Sequence, residues 1–259
     1  MFDVLCEVTE QKIVTEDYML IRLQAGALAE QARPGQFVHI RIPGLEQSCL
    51  RRPFSIFDAK DGALSILYKT VGRGTEMMRA LQHGHKLQVI GPLGNGFPLE
   101  FNGIPLLVAG AYGIAPLHFL ASQLKRSGVI MVGGRTAGDI LATAEFEALG
   151  WRVAIATEDG TAGDKGLVTV PLVRELARFK AAGQAVVMFA CGPDGMLRAV
   201  ADLAYKNEVK AWLSLDKHMV CGVGACLACV QKLRREDGSA WVGRVCNDGP
   251  IFEAASIIW

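Results

Sequence analysis

Along residues 1–99 apolar and polar positions alternate in short stretches, at 1–8, 18–24, 36–42, 53–58, 63–70 and 86–90. A period of two puts every second side chain on one face of a strand. Clusters of Gly, Pro, Asn and Asp interrupt the stretches around 32–35, 42–44, 61–62 and 91–96, and strands so spaced predict an antiparallel barrel. One short helix is expected within it, over residues 75–81, opened by Gly72-Arg73-Gly74-Thr75. From residue 104 the pattern changes. Wholly apolar runs at 105–109, 129–132, 153–156 and 185–190 alternate with helical stretches at 116–127, 140–149 and 170–182. Strands buried on both faces and separated by amphipathic helices predict a doubly wound parallel sheet, whose strand ends are where nucleotides bind. The expected organisation is therefore multidomain, β followed by α/β: a barrel over 1–99, a nucleotide-binding sheet over 100–214, and a small module over 215–259.

Composition narrows the class. The chain has 259 residues and a formal net charge of +1, with no basic excess of the kind that phosphate-backbone binding requires, so nucleic acid is not expected as a partner. Charged residues make up only 20% and mean hydropathy is +0.26, which raises the question of a membrane span. Residues 101–124 carry no Asp, Glu, Lys or Arg and are long enough to cross a bilayer. They are broken by Asn102, Gly103, Pro105, Gly110, Gly113, Pro116 and His118, and read as a buried strand, a glycine turn and a helix rather than a span. The N-terminus has acids at Asp3 and Glu7 and no basic leader, so no signal peptide is expected. A cytoplasmic location is expected, where thiols stay reduced and clustered cysteines tend to bind metal.

Four of the seven cysteines, Cys221, Cys226, Cys229 and Cys246, fall within residues 215–259. A Cys-x4-Cys-x2-Cys run with a distant fourth cysteine is the spacing of plant-type [2Fe–2S] ligands. Gly222 and Gly224 leave room between the thiolates for the backbone to wrap and aim amides at sulfur. A structural zinc site is the alternative, although only Cys226 and Cys229 form the short pair that zinc modules use twice. Cys6 and Cys49 have no assigned role, and the five histidines match no metal-ligand spacing and are read as structural or surface.

On the barrel, Arg51-Arg52-Pro53-Phe54-Ser55-Ile56 sets a guanidinium fork, an aromatic and a hydroxyl on one strand. Arg52 suits a pyrophosphate and Ser55 a flat heterocycle, while Gly74-Thr75 offers helix-start amides to the same anion. An edge strand with solvated arginines is the plain alternative. In the sheet, Gly110-Ala111-Tyr112-Gly113 lies in the first strand–helix turn, and Cys191-Gly192-Pro193 follows the last apolar strand. Glycines in that turn let a pyrophosphate approach; Cys191 reads equally well as a small buried hydrophobe. Ala111 strains this turn if its φ is positive.

These motifs resemble the ferredoxin–NADP reductase superfamily. The resemblance implies FAD bound by Arg52, Pro53, Phe54, Ser55, Leu67, Tyr68, Lys69, Gly74 and Thr75, and NAD(H) bound by Gly110, Gly113, Cys191, Gly192 and Pro193. The order barrel, nucleotide sheet, cysteine module is similar to the electron-transfer subunits of two-subunit (class 1B) dihydroorotate dehydrogenases, carried also by Gly91-Pro-Leu-Gly-Asn-Gly-Phe97 and Val245-Cys-Asn-Asp-Gly-Pro250. That resemblance implies an oxidoreductase subunit of pyrimidine biosynthesis. Electrons from the FMN of a catalytic partner would pass through a [2Fe–2S] cluster on Cys221, Cys226, Cys229 and Cys246 to FAD and then to NAD+, with two copies of each subunit in the complex and no acid–base catalytic residue in this chain. Small subunits of ferredoxin:NADP oxidoreductases and sulfide-dehydrogenase-like complexes share the architecture, some with an Asp in place of one cluster Cys. A flavin-less regulatory module with a zinc knuckle is the reading from another class. Arg135, at the end of the second apolar strand, bears on NAD against NADP.

Overall fold

The computed structural model describes residues 1–44 and 50–259; Cys49 lies outside the described residues. The alternating stretches of the first part become seven antiparallel strands: β1 (Phe2–Ile13), β2 (Tyr18–Gln24), β3 (Phe37–Arg41), β4 (Arg52–Ser55), β5 (Asp58–Lys60), β6 (Ala63–Lys69) and β7 (Lys86–Leu93). Their order across the sheet is β4-β3-β7-β1-β2-β6-β5. The inward residues Val8, Ile21, Leu23, Val38, Ile40, Leu64, Ile66, Leu87 and Val89 form one apolar core. The expected strand over 53–58 is two strands, β4 and β5, because the chain changes partner there: β4 pairs with β3, the Ile56 amide donating to the Gln36 carbonyl, while the Phe57 amide donates to the Ser65 carbonyl and β5 pairs with β6. A short helix, α1 (Ala27–Glu30), follows β2. The helix expected over 75–81 is α2 (Arg73–Arg79). It starts earlier because the Thr75 hydroxyl accepts the amides of Val71 and Gly72 at 2.9 and 3.2 Å, folding the glycine turn back on the first helical turn.

The second sheet contains β8 (Ile104–Gly110), β9 (Val129–Gly134), β10 (Arg152–Thr157), β11 (Asp164–Lys165), β12 (Val186–Cys191) and β13 (Ala211–Ser214), all parallel, in the order β11-β10-β9-β8-β12-β13. Crossover helices α3 (Ile114–Gln123), α4 (Thr143–Ala148), α5 (Thr169–Ala181) and α6 (Asp194–Asn207) cover it. The stretch 101–124 is thus β8, a tight turn and α3, and among the described residues no helix is long and apolar enough to cross a membrane. The helix expected over 140–149 is shorter, starting only after Ala142 takes a left-handed φ of 54°.

The remaining chain forms a two-stranded ribbon, β14 (Val230–Arg234) with β15 (Ala240–Arg244), and then β16 (Ile251–Glu253). β16 returns to the parallel sheet and pairs antiparallel with β13 at its edge. Cys229, Leu233, Val245, Cys246 and Phe252 consequently share one apolar core with β8, β12 and β13, and Phe37 and Leu93 of the barrel join it. Tyr18, Phe57, Leu67 and Phe97 join the barrel to the other face of the sheet, packing with Leu107 and Leu117. The three modules meet along buried apolar faces.

Candidate cofactor site where the three modules meet

A cavity of about 640 Å³ opens at this junction, within the range of small-molecule and cofactor sites. The barrel lines one side with Arg52, Pro53, Phe54 and Ser55 of β4, Leu67, Tyr68 and Lys69 of β6, and Gly74 and Thr75 of α2. All nine residues expected to contact flavin therefore face one space. The reason is register. β4 pairs with β3 at the sheet edge, Phe37 opposite Ser55 and His39 opposite Pro53, and Phe54 meets Tyr68 edge-on at 5.9 Å between ring centres.

The Tyr68 hydroxyl is buried without a hydrogen-bond partner among the described residues, and burial raises its pKa. A buried hydroxyl with no partner on the wall of a cavity is what a bound polar ligand would satisfy. Arg52 and Arg73 bring positive charge to the same wall, and the first amides of α2 have no intrahelical acceptor. Lys69 lines the cavity too, but its ammonium is paired with Asp17 at 3.3 Å and Asp139 at 3.4 Å. Asp139 also accepts the Tyr18 hydroxyl at 2.8 Å and the Arg135 amide at 3.1 Å. Burial tends to raise the Asp139 carboxyl, but the Tyr18 and Arg135 hydrogen bonds and the Lys69 charge together hold it below its ordinary value. This knot fastens barrel to sheet, and it engages Arg135 through Nε at 3.6 Å.

The parallel sheet closes the opposite side with Tyr112, Gly113, Ala115, Cys191, Ser214 and Asp216. Cys191 stands opposite Ser214 in the β12–β13 register. Burial pushes its thiol up to about 12 against the opposing Ser214 hydrogen bond, with a smaller upward push from Asp216, so it is a neutral contact rather than a nucleophile. Gly110, Gly192 and Pro193 do not line the cavity. A Cβ on Gly110 would lie 2.7 Å from Cδ of Pro193, and one on Gly192 would lie 2.6 Å from Cε of Met196. A Cβ on Gly113 would run into the Cys191 carbonyl. These glycines let the β8 turn and the β12 turn press together. Ala111 does take a positive φ, 47°, so the condition for a strained turn is met.

The cysteine module supplies the rest of the wall: Met219, just before Cys221, and Pro250, just after Cys246. The thiols meet in two pairs, Cys221 with Cys226 and Cys229 with Cys246. Backbone amides point at sulfur, Ala225 to Cys221 Sγ at 3.3 Å and Cys246 to Cys229 Sγ at 3.4 Å. Burial alone would raise the Cys221 thiol, yet amides of Val223, Cys226 and Ala225 together bring it down to about 6; burial pushes Cys246 up to about 12. Gly222 and Gly224 have φ of 71° and 83°. Four thiols, with backbone amides aimed at two of the sulfurs, match the four-thiolate ligand set of a two-iron cluster, two to an iron. Arg244 braces both ligand segments: it holds Asp248 with Nε at 2.9 Å and Nη2 at 2.9 Å, and donates Nη1 to the Gly224 carbonyl at 3.1 Å. The Arg244 guanidinium in turn holds the Asp248 carboxyl down, to about 2.

Sequence reasoning missed Tyr112, Ser214, Asp216, Met219 and the Tyr18–Asp139–Lys69 knot. Tyr112 lies inside the Gly110–Gly113 turn; the others carry no local motif. Of the histidines, His39 and His118 are buried. His118 stacks on Phe57 at 4.0 Å and its Nδ1 lies 3.1 Å from the Phe57 carbonyl, tying α3 to the barrel.

Comparison with known proteins agrees with this geometry. Residues 5–97 match the oxidoreductase FAD-binding domain family and residues 216–258 match the iron–sulfur cluster binding domain of dihydroorotate dehydrogenase B. The chain is 38% identical over 259 residues to the dihydroorotate dehydrogenase B (NAD(+)) electron transfer subunit of Geobacillus kaustophilus (strain HTA426), covering 97% of this chain and 96% of that one. The same subunit of Lysinibacillus sphaericus (strain C3-41) is 35% identical, with 96% of each covered. Among solved structures, that of an NADH-dependent reduced ferredoxin-NADP oxidoreductase superposes with a TM-score of 0.85 at 29% identity, over 99% of this chain and 90% of the other. An Amycolatopsis cytochrome P450 reductase shares the fold, with a TM-score of 0.65 at 23% identity, over 80% of this chain and 66% of the other.

Proposed function

Because the chain belongs to the family of dihydroorotate dehydrogenase B electron-transfer subunits, we propose that its three modules hold their cofactors around one cavity as a relay between a catalytic partner and NAD+. It is an oxidoreductase subunit of pyrimidine biosynthesis that acts with that partner. Bound FAD and a [2Fe–2S] cluster supply the means to take electrons singly and release them in pairs as hydride to NAD+. The observation that carries the reading is the composition of the cavity wall, to which β4 and β6, the ends of β12 and β13, and residues flanking the cysteine loop all contribute.

The chain's own residues then have distinct work. Arg52 and Arg73, with the α2 amides, hold the flavin diphosphate; Ser55 and Tyr68 orient the ring; Phe54 fixes Tyr68 edge-on. On the opposite side Gly113 and Cys191, aided by Ser214, shape the place where nicotinamide approaches, while Gly110, Gly192 and Pro193 keep the two turns in register. Cys221, Cys226, Cys229 and Cys246 hold the cluster, and Arg244 fixes the separation of their two segments. No proton-transfer group is needed in this chain. Exposed Val220, Val223, Leu227 and Val242 around the cysteine loop support docking of the FMN-containing catalytic subunit there; two copies of each subunit and a cytoplasmic location belong to the same proposal. The similarity to dihydroorotate dehydrogenase B (NAD(+)) electron transfer subunits favours NAD over NADP.

The test is Cys226→Ser in the co-expressed two-subunit complex. FAD should stay bound, its visible bands intact, while electron passage from dihydroorotate to NAD+ is lost. Normal passage in that variant, or a visible spectrum of the unmutated protein with neither flavin peaks nor a cluster shoulder, would overturn the reading. The similarity to the ferredoxin-NADP oxidoreductase makes a different partner the second reading, favoured if no complex forms with a dihydroorotate dehydrogenase catalytic subunit.

A further inference from the structure

Histidine 39 is 1% exposed, and neither ring nitrogen has a hydrogen-bond partner among the described residues. A buried polar group left without a partner is costly, so such an imidazole calls for an acceptor or donor. Strand alternation sets where it points. Its neighbours Val38 and Ile40 belong to the barrel core. His39 faces the other way with Phe37, 6.1 Å away edge-on, and Phe37 lines the cofactor cavity. Across the ladder it stands opposite Pro53, beside Arg52.

On its far side lies the cysteine loop. A Cβ built on Gly222 would come 2.6 Å from His39 Nδ1 and 2.7 Å from Cε1. Glycine at this left-handed position, φ 71°, therefore serves two ends: it permits the turn after Cys221, and it leaves the space the imidazole edge fills. The imidazole is thus seated directly against that turn. We propose that His39 tunes the iron–sulfur cluster, donating a ring N–H to a cluster sulfur from the flavin-facing side of the cysteine loop. This rests on the reading that Cys221, Cys226, Cys229 and Cys246 hold that cluster. Hydrogen bonds to sulfur raise a cluster's potential by favouring its more negative, reduced form.

The test uses the cofactor-loaded two-subunit complex with His39→Phe, which keeps a ring but no N–H, and His39→Gln, which retains a donor. In His39→Phe the cluster's one-electron reduction equilibrium should shift about tenfold toward the oxidised form, a change of about 59 mV, with FAD content and FAD potential unchanged. His39→Gln should recover most of that shift. In unmutated protein labelled with 15N-histidine, the EPR signal of the reduced cluster should carry a nitrogen coupling that His39→Gln abolishes. Equal cluster potentials in both variants at full iron and sulfide content would overturn the proposal. So would the absence of that nitrogen coupling from unmutated protein, a measurement that stands even if His39→Phe does not fold. A subunit that contains no iron or sulfide before mutation would overturn the cluster reading itself, and this inference with it.

Discussion

The two nucleotide-facing sides of the cavity are built on different principles. On the barrel side the residues that face the ligand are neighbours in sequence, set on β4 and β6 by strand register, so all nine expected positions reach the cavity. On the sheet side the glycine turn after β8 is occupied largely with holding two turns together: Gly110 packs on Pro193 and Gly113 on the Cys191 backbone, and only Gly113 and Cys191 of the expected five line the cavity. A strand presents a motif directly, whereas a strand–helix turn must first satisfy close backbone contacts. Glycine in such a turn is as much a packing residue as a ligand residue.

Substitutions on the two sides should therefore separate ligand loss from structural loss. Arg52→Ala should have the largest effect on binding. Loss of a charge-assisted hydrogen bond to phosphate costs about 1.5–3 kcal/mol, so flavin affinity should fall by about two orders of magnitude, read from free flavin fluorescence after gel filtration, with little change in melting temperature. Gly113→Ala should do the reverse. Its new Cβ meets the Cys191 carbonyl, and overpacking of this kind costs about 1–3 kcal/mol, seen as a lower urea midpoint with flavin retained.

Ala111→Gly is gentler and of opposite sign. Relief of the left-handed alanine, φ 47°, gains about 1–2 kcal/mol, part of which the greater freedom of unfolded glycine removes. A net gain of about 0.5–1 kcal/mol and a few-fold tighter NADH complex are expected, with FAD affinity unchanged; a looser NADH complex would show that the strain is what shapes the turn. The smallest effect is one of pH. His118 bridges barrel and sheet, and burial holds its pKa below the ordinary imidazole value despite the Phe57 carbonyl acting the other way. Below pH about 6.5 the unfolded chain takes up a proton that the folded one resists, so stability contributed at neutral pH declines as pH falls. The urea midpoint should drop between pH 7 and 5, and the drop should shrink in His118→Gln.

Much of this was legible in the chain itself, for a physical reason that also explains what was not. The period-two stretches and the apolar runs separated the barrel from the parallel sheet, and the spacing of Cys221, Cys226 and Cys229 marked the metal module, because these signals are local. The positive φ at Ala111 could be posed as a condition from its place in the glycine turn. Long-range juxtapositions left no such trace: Tyr18 with Asp139, Cys191 with Ser214, and above all His39 with Gly222. Each joins residues from different elements, and only the meeting of three modules brings them together. The return of Ile251–Glu253 to pair with β13 was hidden for the same reason, as a short apolar run after Gly249-Pro250 does not announce which sheet it will join.

The central claim is that this subunit carries electrons from dihydroorotate oxidation to NAD+. Anaerobic mixing of the cofactor-loaded two-subunit complex tests it most directly, with NADH absorbance and the cluster EPR signal followed together. With dihydroorotate alone, the reduced-cluster signal should appear and the flavin bands should bleach; on adding NAD+, one NADH should form for each dihydroorotate oxidised. Orotate formed with no reduced cluster and no NADH would contradict the account.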